Sequence, residues 1–162
     1  MTSFVVALAL ALGLEPSTVG ALAAATLAGQ LSIGWSNDLV DAERDARAGR
    51  LDKPLATTQR RAGFVVATTV AVVLCVGVSV TVGALAAACH LTGVACGWAY
   101  NLGLKSTFWS WLPYAVAFGL LPMWVIAAQP GSGWAPAWMA VAASTLGVSA
   151  HLVNAAPDVA DD

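Results

Sequence analysis

The chain has 162 residues, of which 59% are hydrophobic and only 10% charged, with a net charge of −2 and a mean hydropathy of +0.76. A soluble domain carries about 25% charged residues, so this composition excludes a water-covered globule and points to lipid as the solvent. Nothing basic is left over for nucleic acid, and Cys75, Cys89 and Cys96 sit in apolar runs without metal or redox spacing.

Six apolar segments follow one another. The first, 2–14, is short for a crossing, which needs about 20 residues, and Glu15-Pro16-Ser17 breaks it. The second is 18–36, and a polar stretch from 37 to 61 follows it. The third (62–82) and fourth (84–101) meet at Gly83. A short polar joint at 103–106 leads to the fifth, 111–128, where Pro113 and Pro122 mark the start or a kink. A turn of Gln129-Pro130-Gly131-Ser132-Gly133 precedes the sixth, 134–156. The expectation is an all-α, polytopic transmembrane helical bundle of about six spans. It forms a single domain over 1–162, incomplete at its C-terminus and at its N-terminus, because the first span is short and the last acidic cluster stops at Asp162.

Each span carries the chain across the bilayer. The stretch after span two, the joint after span four and the tail after span six therefore share a side. All seven Lys and Arg residues fall there: six lie between Arg44 and Arg61, and the seventh is Lys105. The positive-inside rule makes that side cytoplasmic, in the plasma membrane of a bacterium. Trp35, Trp98, Trp109 and Trp111 fall near the inner ends and Trp134 and Trp138 near the outer, as an interfacial aromatic belt would.

Two acidic motifs face the cytoplasm. In Asn37-Asp38-Leu39-Val40-Asp41-Ala42-Glu43-Arg44-Asp45, the three aspartates are spaced i, i+3 and i+7, which is one face of a helix. Stacked carboxylates repel unless a cation lies between them, and Mg²⁺ bridges carboxylate oxygens to phosphates. The second motif, Asn154-Ala155-Ala156-Pro157-Asp158-Val159-Ala160-Asp161-Asp162, stacks Asp158 and Asp162 one turn apart. Such charges can also be a solvated helix end. Two alike, on one side of a membrane, favour a metal-and-diphosphate site. Its chemical use is the ionisation of an allylic diphosphate: metal and basic groups (Arg44, Arg47, Lys53, Lys105) take the leaving group's charge, and a dry aromatic cavity protects the carbocation.

The first motif resembles the first signature of the UbiA superfamily of intramembrane prenyltransferases, and Asp158-x-x-x-Asp162 resembles its second. Lys53-Pro54-Leu55 is similar to the family's basic-Pro-Leu element, with Lys in place of the more usual Arg, and Tyr100 followed by Lys105 resembles its Tyr/Lys element. The resemblance implies a fold of nine transmembrane helices, of which about six are here. It implies Mg²⁺, a polyprenyl diphosphate donor and a lipophilic or aromatic acceptor. It implies that Asp38, Asp41, Asp45, Asp158 and Asp162 bind metal and diphosphate, and that Asn37, Arg44, Lys53, Tyr100, Lys105 and Asn154 bind substrate.

The alternative is a non-catalytic membrane fragment that keeps the metal and diphosphate motifs of a longer enzyme. A cation transporter would place its acids at mid-span, whereas these lie at span ends. Phosphatidyl transfer from a CDP-alcohol needs a Gly where Ala42 stands. His90 reads as a packed helix residue, and His151, one turn before Asn154, could touch substrate.

Overall fold

In the computed structural model, the backbone is described for residues 1–47 and 61–159, and the side chains for 1–42 and 61–155. Six α-helices make up the fold, and no strand occurs among the described residues.

α1 (Thr2–Ala11) is short and wholly apolar, and Gly13 at φ +68 reverses the chain behind it. α2 (Pro16–Arg47) opens on a proline, whose missing N–H costs nothing at a first helical position. It then runs for 32 residues, about 48 Å at 1.5 Å per residue. The apolar span ends at Ser36, but the helix continues through the first acidic motif, as the i, i+3, i+7 spacing of its aspartates anticipates. No Gly or Pro lies between Ser36 and Arg47 to interrupt it.

α3 (Arg61–Val82) returns across the bundle. Gly83, at φ +139, then lets the chain pass into α4 (Ala84–Asn101) with a single residue between the helices. Gly103 at φ +147 and a 3-10 turn at Leu104–Ser106 carry the chain to α5 (Leu112–Ile126). Pro113 marks the start of α5, while Pro122 lies buried inside it. Gly131 turns the chain into α6 (Ala137–Val159).

α2 packs against α1, α3 and α4; α4 against α3 and α5; α5 against α6 and α1. Glycines make the closest approaches, because an added Cβ would already be inside a neighbour. A Cβ on Gly97 would lie 2.5 Å from Ile33 Cδ1 on α2, and one on Gly93 would lie 3.6 Å from the Ala117 backbone on α5. The Gly-x-x-x-Gly pattern of α4 thus serves two neighbours. An apolar cluster of Val5, Ala9, Leu22, Ala25, Ala86, Leu121, Trp124 and Val125 fills the half of the bundle away from the acidic motif.

α3 is the one helix among the described residues long and apolar enough to cross a membrane by length and composition. Only 22% of its most apolar window is buried in the bundle, whereas the core helix of a soluble protein would be mostly covered. Val66, Val73 and Val80, each two turns from the next, stand exposed on it. Trp138, Val141 and Val153 are exposed in the same way on α6. These unpartnered apolar faces suit contact with lipid.

Candidate active site

One end of the bundle gathers polar side chains from α2, α4, the turn after α4, and α6. The acidic stripe comes first. Asn37, Asp38 and Asp41 lie within little more than one turn of α2, with Asp41 buried and its neighbours half-buried. The turn made by Gly103 folds Lys105 back over them. Its ammonium donates to both carboxylate oxygens of Asp41, at 2.6 and 2.7 Å, and to Asn37 Oδ1 at 3.2 Å. The two charged side chains are only 17% and 11% exposed, so water screens them weakly. A charge-assisted, bidentate contact of this kind is among the stronger hydrogen-bonded pairs.

Asn101 fixes the register of this arrangement. Its amide donates to the Ile33 carbonyl and to Ser36 Oγ, both at 2.8 Å, which ties the end of α4 to α2 one turn above the acids. Trp98 Nε1 adds a bond to Ser32 Oγ at 3.2 Å, so this indole is anchored inside the bundle as well as near the interface.

α6 reaches the same end. Its buried His151 lies 3.1 Å from Ser110 Oγ through Nε2. The imidazole sits edge-on to Tyr100, with ring centroids 6.1 Å apart, and 5.1 Å from the ring of Tyr114. Tyr100 and Tyr114 meet edge to face at 5.2 Å. Asn154, one turn beyond His151, is exposed.

Behind the acids a cavity of about 500 Å³ opens between α2, α4 and α5. Asn37 and Tyr100 stand at its polar end, and Tyr114, Phe118, His90 and Trp124 line its depth. Its size is in the range that holds an organic ligand. The aromatic faces offer their negative quadrupole to a cation.

The sequence-predicted residues therefore divide into two groups. Lys105 touches both Asn37 and Asp41; Asp38 adjoins them on α2, and Tyr100 lines the cavity beside Asn37; Asn154 is exposed on α6. The side chains of Arg44, Asp45 and Asp158 lie outside the described residues, although their backbones continue α2 and α6. Lys53 and Asp162 lie wholly outside them. Among the described residues no group of three or more His, Cys, Asp or Glu side chains closes on a common point.

The chain matches the UbiA prenyltransferase family over residues 1–162. It belongs to that family. No curated protein and no solved structure matches it. Membership makes the six-helix bundle part of a polytopic membrane fold and implies prenyltransferase activity on a prenyl diphosphate and an acceptor.

Sequence reasoning missed Asn101, Tyr114 and Trp124. Asn101 had a signal, since an amide at the end of an apolar span must find partners within the protein. Tyr114 and Trp124 had none, because an aromatic residue in a membrane helix reads equally as belt, core or cavity wall.

Proposed function

We propose that this UbiA-family chain is a Mg²⁺-dependent intramembrane prenyltransferase that moves a polyprenyl group from an allylic diphosphate to an aromatic acceptor, with its site open to the cytoplasm. The observation that carries the proposal is the Lys105 ammonium, seated on Asp41 and Asn37 at the mouth of an aromatic-lined cavity. An anion-binding cation and cation-binding acids would share one spot, next to a largely apolar space.

The donors present suit magnesium. Asn37, Asp38 and Asp41 offer hard oxygen ligands on one stripe, and Mg²⁺ is ordinarily held by one or two carboxylates together with substrate phosphate and water. Asp45, Asp158 and Asp162 would supply further oxygens. When bound, the metal would neutralise charge developing on the diphosphate oxygens. Asp41 has more lone pairs than Lys105 uses, so the ammonium can hold the carboxylate in place before substrate arrives and turn to a diphosphate oxygen afterwards. Lys53 and Arg44 are proposed as additional contacts to the same group.

The reaction breaks the allylic carbon–oxygen bond, and the electron pair leaves with the diphosphate. The allylic carbon then bonds to an acceptor ring carbon, which gives up a proton. Tyr100 stands at the polar end of the cavity with the Tyr114 ring against it, where the allylic cation would form. Their ring faces would steady it, and the apolar walls would keep water from it.

The test is transfer from labelled geranylgeranyl diphosphate by the protein in lipid nanodiscs. Transfer should require Mg²⁺ and fall below detection in Asp41→Ala and in Asp158→Ala. Unchanged transfer in either variant, or transfer in the presence of a chelator, would refute the roles proposed.

A further inference from the structure

His151 on α6 carries a cost that its packing does not explain. The residue is buried, and its Nδ1 has no hydrogen-bond partner among the described residues. A buried polar atom left bare is unfavourable. A phenylalanine could pack against Tyr100 and Tyr114 in the same place without that cost. The imidazole forms no part of the cavity wall among the described residues, although both tyrosines do. Its polar contact is from Nε2 to Ser110 Oγ, at 3.1 Å. With one nitrogen on Ser110 and the other sealed, His151 has no free atom to turn to a substrate, and the reason for an imidazole lies with Ser110.

Ser110 belongs to the joint between α4 and α5, which also carries Lys105. This joint has no slack. Ser106 N donates to the Gly103 carbonyl, Thr107 N and Oγ1 to that of Leu104, Ser110 N to that of Thr107, and Leu112 N to that of Trp109, all between 2.9 and 3.1 Å. Trp109 N donates to Thr107 Oγ1 as well. Each of these bonds closes a turn and fixes the dihedrals inside it. From Lys105 to Ser110 one closed turn follows another, so the segment moves as a unit.

The two ends of that unit stand on different helices. Lys105 rests on Asp41 and Asn37 of α2, and Ser110 on His151 of α6. α6 packs on α5 and builds no interface with α2 among the described residues. The joint therefore bridges two helices that do not pack on each other.

We propose that His151 is a positioning residue for the Lys105 ammonium: through Ser110 and the closed turns of the joint, it sets where that ammonium stands over Asp41 and Asn37. That the ammonium serves a diphosphate rests on the prenyl-transfer reading; that His151 places it does not. Since α6 continues from His151 to Asn154 and Asp158, the helix of the second acidic motif and the cation over the first shift together. Neither motif can then be displaced along its helix without disturbing the other.

The experiment uses the whole chain and reads two quantities. The first is Mg²⁺-dependent affinity for geranylgeranyl diphosphate in nanodiscs. His151→Phe keeps a ring against both tyrosines and loses the bond to Ser110, and it should bind about five-fold more weakly. Ser110→Ala removes the same bond from the other side and should match it, and the two changes together should be no worse than either. Ser110→Ala carries the test alone if His151→Phe does not fold. His151→Gln offers an amide to the serine and should return affinity to within about two-fold of the parent. With Lys105→Met already in place, His151→Phe should have no further effect. The second quantity needs no ligand: the stability lost on Lys105→Met, by unfolding in mixed micelles, should at least halve in a Ser110→Ala or His151→Phe background. A role in packing alone would leave that loss the same in every background. Parent-like affinity in both His151→Phe and Ser110→Ala, or an unaltered cost of Lys105→Met, overturns the proposal. A cost that halves, in a protein that binds no diphosphate, upholds the positioning and rejects prenyl transfer.

Discussion

Lys105→Met removes the cation from the acidic stripe and leaves Asp41 in place. The parent pair has two short contacts, at 2.6 and 2.7 Å, and a third from Lys105 to Asn37 at 3.2 Å. Exposed ion pairs are worth about 0–1 kcal/mol, whereas breaking a buried pair by removing one partner costs about 3–5 kcal/mol. With 17% and 11% of the side chains exposed, this pair lies between those limits, and a loss of about 2 kcal/mol follows. The loss arises from the short charge-assisted contacts of a partly buried pair. Lys105→Met with Asp41→Leu should therefore cost less than the two single variants added together, a coupling of about 1 kcal/mol or more. The assay is a double-mutant cycle of unfolding in mixed micelles, followed by far-ultraviolet circular dichroism. The single variant should also bind geranylgeranyl diphosphate about ten-fold more weakly or worse, having lost a charged donor to phosphate. A Lys105→Met protein as stable as the parent, with no coupling to Asp41, would show that the contact carries no energy. The site would then have to be organised by something else.

Two further predictions use the same unfolding assay. Gly147→Ala should cost about 1–3 kcal/mol, because the new Cβ would lie 2.5 Å from the Tyr114 carbonyl oxygen and 2.8 Å from Phe118 Cβ, prising α6 from α5. Gly34→Ala is the control: nothing lies within 4 Å of a Cβ there, so it should be neutral or slightly stabilising. Asn101→Ala removes both donations to α2 and should cost about 1–3 kcal/mol. It should lower diphosphate binding too, since Lys105 would lose its fixed approach to Asp41.

Much of this architecture was legible in the residues. Apolar run lengths and the breaks at Gly83 and Gly131 mark where α3, α4 and α6 begin or end, because in lipid a backbone that leaves the helix must find other partners. That Lys105 and Asp41 fall at one end of the bundle followed from counting crossings. The length of α2 was legible in part, through the spacing of its aspartates. Charged residues after Ser36 end the apolar span, but charge alone does not stop a helix, and Ala42, Glu43, Arg44, Ala46 and Arg47 favour one. The partner of Lys105 could not be read. Expected on diphosphate, it rests on Asp41, because without an anion the nearest carboxylate is its best neighbour.

The continuity of α2 has a mechanical consequence. Thr26, Gln30, Ile33, Asn37 and Asp41 follow one another at steps of three or four residues, so a single face of one rigid helix carries the inner wall of the cavity and its mouth. The cavity wall at Gln30 and the proposed diphosphate site at Asn37 are therefore held apart by helical rise, about 10 Å. Loop motion cannot change it. On the proposed reading, such a site would hold both ends of a reacting pair without a lid closing over them. The proximity that accelerates a bimolecular reaction would then be supplied before either substrate arrives. A single proline in the stretch between Gln30 and Asn37 would remove it while leaving every named side chain in the sequence.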